Sequence, residues 1–407
     1  MSTVGEVETQ FLRIGSPGHP FVLESGETLP EVTLAYETYG TLSEGRDNAI
    51  LVFHALSGSA HAAGLNARGP GSALWTDECH VGWWDGFVGP GKCIDTDRYF
   101  VICANYLGSC YGSTGPASTD PRTGRPYGST FPDVTVGDIV RSQVHLLDHL
   151  GVDKLLAVMG GSMGGLMAQD LAARFPERVD LVVPICSGLR VPILTRLLIF
   201  EQIFALQEDP SFHRGDYYDK PDKPLQGLVL ARMISHKTFV HLEVMEERAR
   251  GLIVQADSDL KGYRMRHRIE SYILHQGKKF AKRFDANSYV KILTAWQTFD
   301  MAKQHGQGDR QAAYQRSADA GHHYLIFTVD SDVCFWPEEQ AEIVDVLKSL
   351  GIDHHYFTVH SDKGHDSFLI EPDLYGPFFS STLDRELIRR RELSRRAGKR
   401  VSFMPEI

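Results

Sequence analysis

Residues 160–165, Gly-Gly-Ser-Met-Gly-Gly, predict the fold more directly than any other part of the chain. An apolar run at residues 155–159 comes before this stretch, and a helical pattern that ends at Pro176 comes after it. The order strand, sharp turn and helix, with Ser162 at the apex, is the context that a Gly-x-Ser-x-Gly nucleophile elbow requires. We expect the glycines to be needed because a side chain two positions before or after the serine would collide with the neighbouring strand or helix.

Glycine-rich turns also connect strands to helices in ordinary doubly wound proteins, so the stretch alone leaves two interpretations open. The nucleophile interpretation is favoured by the position of Ser162 at the start of a helix. Free N–H groups and the positive end of the helix dipole stabilise an anion that develops there. A serine nucleophile also needs a base to take its proton and an acid to orient that base.

The acid and the base follow Ser162 in the order Ser, Asp or Glu, His that this class of fold uses. Asp332 comes just after the strand predicted at residues 324–329, and His365 lies in the loop after the last predicted strand. Asp330 competes for the role of the acid, but it lies nearer the strand and we expect it to shape the turn. The sequence therefore predicts a catalytic triad of Ser162, Asp332 and His365.

An oxyanion hole for such a nucleophile needs two N–H donors. The first is the main-chain N–H of Met163, the residue after the serine, and we assign the second to Leu56 in the loop after an early strand. His54 and His61 in the same loop could bind zinc, but no third ligand lies near them in the sequence. We therefore expect no metal site.

Strand and helix patterns alternate through most of the chain, which predicts an α/β fold with a mostly parallel central sheet and helices on both faces. The alternation stops from residue 190 to residue 320, where helices are expected at residues 194–206, 239–250, 263–276 and 290–302. We predict a core made of residues 1–189 and 321–407, with residues 190–320 inserted as a helical lid. A separate α domain would also give a helical stretch, but the α/β pattern resumes afterwards and favours an insertion.

The composition excludes several classes of partner. Of the 407 residues, 42% are hydrophobic and 23% are charged, which is enough to bury a substantial core, and the net charge of −10 argues against nucleic acid. We expect neither a signal peptide nor a membrane partner, because the first residues lack a basic stretch and no apolar run approaches membrane-spanning length. Six scattered cysteines include no Cys-x-x-Cys pair, which favours a reducing, cytoplasmic location.

The chain resembles the homoserine O-acyltransferase family of α/β hydrolases from residue 30 to residue 375. The matching stretches are His-Ala-Leu-Ser-Gly at 54–58, Gly-Trp-Trp-Asp at 82–85, Gly-Pro-Gly-Lys at 89–92, Gly-Ser-Thr-Gly-Pro at 112–116, the elbow at 160–165, Leu-Ala-Arg-Met at 230–233 and Gly-His-Asp-Ser-Phe at 364–368. The resemblance implies an α/β-hydrolase fold and acyl transfer from acyl-CoA to homoserine through an acyl-serine, in methionine synthesis. It also implies a homodimer, small-molecule substrates, and no cofactor beyond the acyl-CoA co-substrate.

Two charged positions in the substrate site of that family correspond to Arg232 and Asp366. The resemblance implies that Arg232 pairs with the carboxylate of the amino acid and that Asp366 pairs with its ammonium group, and the charges are complementary. A salt bridge within the lid remains the alternative role of Arg232. Capping of a loop remains the alternative role of Asp366.

The resemblance also bears on the acyl donor, through Cys334, which lies two residues after the predicted acid. Relatives that use succinyl-CoA tend to have arginine there, which can meet the succinyl carboxylate, so an uncharged side chain favours acetyl-CoA. Acetyl-type relatives usually have leucine at this position, and the helix near residues 198–206 departs from the polar pattern of the family. Succinyl transfer, transfer to serine, and an esterase that uses water as its acceptor therefore stay as alternatives.

Overall fold

The computed structural model describes residues 3–251, 260 and 262–401. Residues 1 and 2, which belong to the N-terminal stretch considered for a signal peptide, lie outside the described residues. So do residues 252–259 and 261 of the predicted lid, and residues 402–407 at the end of the predicted core.

The centre of the molecule is an eight-stranded sheet. In chain order its strands are β1 (Gln10–Ile14), β2 (Val32–Tyr39), β3 (Ala49–Phe53), β4 (Phe100–Ala104), β5 (Leu155–Gly161), β6 (Val179–Ile185), β7 (His323–Val329) and β8 (His354–Val359). Short two-stranded ribbons lie in the loops, formed by Phe21–Val22 with Thr28–Leu29, Val88–Gly89 with Ile94–Asp95, and Thr119–Asp120 with Arg125–Pro126.

The strands of the large sheet lie in the order β1-β2-β4-β3-β5-β6-β7-β8. β1 pairs with β2 and β2 pairs with β4 in antiparallel register, and all later neighbours are parallel. Every residue of β3 and of β5 is buried, as expected for parallel strands that are covered on both faces. The mostly parallel sheet confirms the predicted fold class.

Helices cover both faces of this sheet. The described α-helices are α1 (Val136–His149), α2 (Met163–Arg174), α3 (Ile193–Gln207), α4 (Leu225–Phe239), α5 (Leu242–Arg250), α6 (Arg268–Ala281), α7 (Ala286–Gln297), α8 (Met301–His305), α9 (Arg310–Ala320), α10 (Pro337–Ser349), α11 (Ser367–Ile370) and α12 (Pro372–Val401). Side chains of α1, α2, α9 and α10 pack in the apolar cluster on one face, and α12 packs on the other. None of the described helices is long and apolar enough to cross a membrane.

Local sequence explains where several core helices begin and end. The side chain of Thr135 accepts a hydrogen bond from the N–H of Asp138 over 3.0 Å, and the Asp138 carboxylate accepts from the N–H of Thr135 over 3.0 Å, which makes a capping box for α1. α10 begins at Pro337, whose fixed φ suits the first helical position. α9 is followed by Gly321 in the left-handed conformation, with φ at +68°.

The chain between β6 and β7 carries helices α3 to α9 and no strand of the large sheet among its described residues. The helix predicted over residues 239–250 is present as α5, but it begins only at Leu242, because the chain breaks after the end of α4 at Phe239 and Val240 has an extended backbone. This break lets the chain cross the loop of β8, where a Cβ on Gly364 would lie only 2.7 Å from the main-chain nitrogen of His241. The division into core and lid stays a prediction, and we keep the name lid for residues 190–320.

The elbow holds Ser162 in a strained backbone conformation, with φ at +59° and ψ at −125°. A Cβ on Gly160 would lie 2.5 Å from the main chain of Gly164, and a Cβ on Gly164 would lie 2.3 Å from the carbonyl oxygen of Phe53. The collision expected for side chains two positions before and after the serine is therefore confirmed. The first turn of α2 approaches β3 this closely only because no side chain lies between them.

Gly164→Ala should destabilise the fold, because the added methyl group would overlap the Phe53 carbonyl oxygen. We expect the free energy of unfolding to fall by about 1–3 kcal/mol, the usual cost of overpacking. Urea denaturation followed by circular dichroism would measure it. Gly18→Ala is the control, since a Cβ there would meet nothing within 4 Å. A Gly164→Ala protein as stable as the control would contradict this account of the turn.

Candidate active site

Ser162, Asp332 and His365 come from separate loops at one edge of the sheet. Ser162 follows β5, Asp332 follows β7 and His365 follows β8, so each lies beyond the carboxyl end of a parallel strand. Ser162 and His365 line one pocket of about 170 Å³, which we call the catalytic pocket. Asp332 is not part of its wall and contacts His365 instead. The structure thus joins His365 to Asp332 and places Ser162 in the same pocket as His365, but among the described residues Nε2 of His365 has no hydrogen-bond partner, so the triad stays a prediction.

Asp332 orients the imidazole of His365. Nδ1 of His365 donates to Oδ2 of Asp332 over 2.8 Å, and the two side chains are 4% and 0% exposed. Oδ1 of Asp332 accepts the main-chain N–H groups of Cys334, at 2.8 Å, and Phe335, at 3.0 Å. The carboxylate is thereby fixed, and it keeps the proton of the neutral imidazole on Nδ1.

The second nitrogen of His365 is available for proton transfer. Nε2 is buried and has no hydrogen-bond partner in the described part of the chain. Burial lowers the pKa of His365, but the carboxylates of Asp332 and Asp366 more than offset that effect and raise the pKa above its ordinary value of 6.5. A raised pKa makes the imidazole a stronger base toward the hydroxyl of Ser162, which shares the pocket.

Asp330, the competitor for the role of the acid, is placed elsewhere. Its Oδ2 accepts a hydrogen bond from Nδ1 of His360 over 2.8 Å, and its Oδ1 accepts from the N–H of Ser361 over 3.1 Å. These bonds fix the turn between β7 and the loop after β8. Asp330 therefore shapes the turn, as the sequence suggested.

The loop after β3 forms a tight turn beside Ser162. The N–H of Gly58 donates to the carbonyl oxygen of Ala55 over 3.0 Å, and Leu56, inside this turn, lines the catalytic pocket. Met163 is the first residue of α2, where main-chain N–H groups have no partner within the helix. Leu56 and Met163 thus both lie next to Ser162, and their assignment to the oxyanion hole stays a prediction.

Arg232 enters the catalytic pocket from α4 of the lid. Its guanidinium carbon lies 5.0 Å from the ring centroid of Phe239 and 5.0 Å from that of Phe280, a cation–π arrangement on both rings. Burial lowers the pKa of Arg232, because the site solvates its charge poorly. Among the residues that the structure describes, Arg232 forms no salt bridge, so the alternative role within the lid finds no support.

Asp366 follows His365 in the chain and lines the same pocket. Burial raises the pKa of its carboxyl group, although the charges of His365, Arg232 and Arg248 oppose this effect. At the start of α11 its side chain makes no capping hydrogen bond, so the alternative role in the loop finds no support either. A cation and a carboxylate therefore line one small pocket, a charge pattern that complements a zwitterionic amino acid.

Arg283 also lines the catalytic pocket, and sequence reasoning missed it. Its Nη1 donates to the carbonyl oxygen of Ser57 over 3.2 Å and to the hydroxyl oxygen of Tyr111 over 3.2 Å. Arg283 lies between α6 and α7 and belongs to none of the motifs in the sequence. An isolated arginine in a charged helical stretch carries no local pattern that could have indicated this position.

Cys334, the position that the resemblance connects with the choice of acyl donor, lies outside the catalytic pocket. Its side chain is buried, and it is not among the residues that line the catalytic pocket. Its N–H holds the carboxylate of Asp332, and its carbonyl oxygen accepts a hydrogen bond from Thr195 over 2.8 Å. In this structure Cys334 holds Asp332 and does not line the pocket that contains Ser162.

The thiol of Cys186, a carboxylate oxygen of Asp332 and a ring nitrogen of His365 lie within 4.8 Å of one another. Such a group could hold a metal ion, but a cysteine ligand must be a thiolate. Burial raises the pKa of the Cys186 thiol well above its ordinary value and disfavours that form. His54 and His61 belong to no such group among the described residues. The expectation that no metal is bound stays a prediction.

Comparison with known proteins agrees with this architecture. The chain matches the alpha/beta hydrolase fold family over residues 48–372, and it is an α/β hydrolase. A homoserine O-acetyltransferase of Deferribacter desulfuricans is 43% identical over 377 residues, which cover 91% of this chain and 94% of the relative. A homoserine O-succinyltransferase of Magnetococcus marinus is 39% identical over 392 residues, which cover 94% of this chain and 96% of the relative. The chain therefore belongs to the homoserine O-acyltransferase family.

Two solved structures with different activities share this fold. A homoserine O-acetyltransferase from Bacillus anthracis has a TM-score of 0.82 at 28% identity, covering 94% of this chain and 98% of the other. Esterase E22 has a TM-score of 0.80 at 28% identity, covering 93% of this chain and 100% of the other. The fold alone therefore does not distinguish an amino acid acceptor from water.

Acylation of the serine by p-nitrophenyl acetate should follow one ionisation with a midpoint above pH 6.5, because His365 acts as a base only when neutral and its pKa is raised. The rate should fall as the pH is lowered through that midpoint. Asp366→Asn removes one carboxylate that stabilises the imidazolium, so its midpoint should lie below the wild-type value. Stopped-flow detection of p-nitrophenol release at a series of pH values would measure both midpoints.

Asp330→Asn is the matched control, because Asp330 contacts His360 rather than His365. Its midpoint should equal that of the wild type. A wild-type midpoint below pH 6.5, or the same shift in both variants, would contradict the assigned electrostatics.

Proposed function

We propose that the protein transfers an acetyl group from acetyl-CoA to the hydroxyl group of L-homoserine, through an acetyl ester of Ser162, as a step of methionine biosynthesis. The observation that carries this proposal is one pocket that combines Ser162 and His365 with the charged groups of Arg232 and Asp366. Relatives named homoserine O-acetyltransferase, 43% and 40% identical to the chain, support it.

In the first half-reaction, Oγ of Ser162 attacks the thioester carbonyl carbon while Nε2 of His365 takes the hydroxyl proton. The N–H groups of Leu56 and Met163 stabilise the oxyanion of the tetrahedral intermediate. The carbon–sulfur bond then breaks, and His365 gives its proton to the leaving thiolate, which yields free CoA and acetyl-Ser162. Asp332 stabilises the imidazolium that exists between the two proton transfers.

In the second half-reaction, the hydroxyl oxygen of homoserine attacks the ester carbon and its proton passes to Nε2 of His365. The bond between the acetyl carbon and Oγ of Ser162 breaks, and the serine recovers its proton from His365. The products are O-acetylhomoserine and the free enzyme. Because both steps balance in atoms and protons with these residues alone, we expect no bound cofactor beside the co-substrate acetyl-CoA.

The charges in the pocket explain how an amino acid can compete with water for the acyl-enzyme. The guanidinium of Arg232 can donate two parallel N–H bonds to an α-carboxylate, and the carboxylate of Asp366 can accept from an α-ammonium group. The catalytic pocket holds only about 170 Å³, so a bound amino acid displaces the water that would otherwise hydrolyse the ester. Binding and exclusion of water thus come from the same contacts.

A hydrolase is the second candidate, and the similarity to esterase E22 favours it. Both activities form the same acyl-serine and differ only in the acceptor of the second step. Succinyl-CoA is the alternative donor, supported by the Magnetococcus marinus relative. An experiment must therefore separate the donor from the acceptor.

Intact-mass analysis after mixing with acetyl-CoA or succinyl-CoA should show an acetyl adduct that is absent in Ser162→Ala. Adding homoserine should discharge the adduct and give O-acetylhomoserine, faster than serine or water does. Arg232→Lys keeps the charge but loses the forked contact, and we expect the KM for homoserine to rise about 10- to 100-fold, since a charged hydrogen bond contributes about 1.5–3 kcal/mol. Acylation should be unchanged.

Lys237→Ala is the control, because Lys237 lies exposed on the same helix, α4. It should leave the KM for homoserine unchanged. Release of CoA at a rate that no amino acid alters would favour the hydrolase, and a succinyl adduct alone would reassign the donor.

We also propose that the protein is a homodimer formed through α3 of the lid. Ile193, Leu197, Phe200 and Phe204 are between 55% and 76% exposed. Their spacing of four, three and four residues places them on one face of the helix. Exposed apolar stripes of this kind mark interaction surfaces, and a second copy of the chain can pack the same stripe against it across a twofold axis.

Phe200→Asp combined with Phe204→Asp should convert the dimer to a monomer, because the charges would be buried without partners at the interface. Size-exclusion chromatography with light scattering would measure the mass. Phe11→Asp, at a residue that is 52% exposed on β1, is the control and should leave the mass unchanged. A monomeric wild type, or a dimeric double variant, would contradict this interface.

A cytoplasmic location is part of the same proposal. All six cysteines are free, and Cys103, Cys110, Cys186 and Cys334 are buried. Free cysteines are typical of proteins in reducing compartments. Acetyl-CoA, as the proposed donor, would also have to be present where the protein acts.

A further inference from the structure

His54 begins the loop that carries Leu56, and the proposed acyl transfer gives its side chain no role. The side chain is buried and is not among the residues that line the catalytic pocket. Its ring stacks on the ring of Tyr106, with the centroids 3.6 Å apart and the planes 19° from parallel. The hydroxyl of Tyr106 donates a hydrogen bond to the main-chain carbonyl oxygen of His54. One tyrosine therefore fixes both the imidazole and the main chain of His54.

The hydrogen-bond partners of His54 show which of its nitrogens carries the proton. Burial lowers the pKa of His54 to about 4, so the ring is neutral near pH 7 and holds a single proton. Nδ1 lies 2.7 Å from the carbonyl oxygen of Ala55, which can only accept. Nε2 is buried and has no hydrogen-bond partner among the described residues. The proton therefore lies on Nδ1, and the side chain of His54 donates to the residue that follows it.

The carbonyl oxygen of Ala55 is held by two donors. Nδ1 of His54 donates to it over 2.7 Å, and the N–H of Gly58 closes the turn by donating to it over 3.0 Å. The turn is this tight because Gly58 has no side chain, since a Cβ there would lie only 2.8 Å from the Cβ of His54. The direction of the Ala55 carbonyl group is therefore fixed before any substrate binds.

The direction of this carbonyl group also sets the direction of the N–H of Leu56. In a trans peptide unit, the C=O of one residue and the N–H of the next point in opposite directions. Because the Ala55 carbonyl faces its two donors, the N–H of Leu56 faces away from them. In the described part of the chain this N–H makes no hydrogen bond, although Leu56 is only 4% exposed and lines the catalytic pocket. A buried N–H without a partner costs free energy unless a ligand accepts from it.

The loop is also fixed relative to Ser162. The main chain of His54 lies against the first turn of α2, where a Cβ on Gly164 would be 3.0 Å from the carbonyl oxygen of His54. At the other end of the turn, Nη1 of Arg283 donates to the carbonyl oxygen of Ser57 over 3.2 Å. A donor that is fixed in this way needs no reorganisation when negative charge develops beside it.

We infer that His54 is a positioning residue for the oxyanion hole, because its Nδ1–H holds the carbonyl group of Ala55 and thereby aims the N–H of Leu56 at the carbonyl oxygen of the acyl donor. The inference rests on the proposed acyl transfer and adds the group that orients one of its two oxyanion donors. When Oγ of Ser162 attacks, the carbonyl oxygen gains negative charge and accepts from the aligned N–H. His54 itself neither gives nor takes a proton.

His54→Asn and His54→Gln are the pair of variants that tests this role. The amide nitrogen of asparagine is bonded to Cγ, as Nδ1 is, so it can still donate to the Ala55 carbonyl oxygen, whereas that of glutamine lies one bond further out. The maximal rate of acylation should stay close to that of the wild type in His54→Asn. It should fall about 10- to 100-fold in His54→Gln, because losing an oxyanion donor slows catalysis about 10²- to 10³-fold and a misaligned donor loses part of that. Single-turnover release of p-nitrophenol from p-nitrophenyl acetate, and of CoA from acetyl-CoA, would measure both rates.

The pattern of the kinetic constants separates positioning from general support of the fold. In His54→Gln, the acetyl-CoA concentration that gives half-maximal acylation and the KM for homoserine should be unchanged, because the oxyanion forms only after the attack. Both acyl donors should be slowed by the same factor, since both form this oxyanion. His54→Phe keeps a ring on Tyr106 without the Nδ1 donor, and it should show the same loss as His54→Gln even if the latter folds poorly.

His322→Phe is the matched control, because the buried imidazole of His322 also donates to a main-chain oxygen, that of Pro176 over 2.7 Å, but does not line the catalytic pocket. It should acylate at the wild-type rate. Equal rates in His54→Asn and His54→Gln, a wild-type rate in His54→Phe, or a rise in the two half-saturating concentrations would overturn this role of His54 and leave the acyl transfer intact. A wild type that neither donor acylates would overturn the acyl transfer itself.

Discussion

The contact between the first turn of α2 and the end of β3 sets the geometry on which the site depends. With hydrogen as its side chain, Gly164 lets the helix backbone lie against the carbonyl oxygen of Phe53, and this approach bends the chain tightly enough to hold Ser162 at a positive φ. Holding a residue in such a backbone conformation costs about 1–3 kcal/mol, so it persists only where the surrounding structure fixes it firmly. Here the fully buried strands β3 and β5 supply that constraint.

Features of the site that follow a local pattern could be predicted from the sequence. The elbow combines a glycine motif with a strand before it and a helix after it, and the order of Asp332 and His365 after it follows from the topology of a parallel sheet. Arg283 could not be predicted, because its role depends on contacts with Ser57 and Tyr111 that are distant in sequence. The start of α5 was predicted three residues too early, because only packing against the loop of β8 shows why the chain turns at Val240 and His241.

Core and lid contribute different chemistry to one pocket. The residues outside the lid supply the proposed nucleophile, Ser162, and the proposed base, His365, which would suffice to form an acyl-serine with water or an alcohol as the later acceptor. The lid supplies Arg232, whose guanidinium carbon lies 5.0 Å from the centroids of two aromatic rings and which forms no salt bridge among the described residues. A charge that is poorly solvated and unpaired binds a carboxylate more strongly than an exposed one would. A core of this kind can therefore serve an esterase or an acyltransferase, depending on which side chains the lid helices place in the pocket.

The packing of His241 on Gly364 has a consequence for how the molecule could open. The main chain between α4 and α5 lies directly on the residue before His365, at a distance that leaves no space for even a methyl group. Lifting these helices away from the sheet would remove two contacts of the loop that carries His365. One is the main chain of His241 on Gly364, and the other is the ring of Phe239, whose centroid is 6.2 Å from that of His365. If the molecule opened in this way, the loop of His365 would lose these two contacts at the moment when water could reach Ser162.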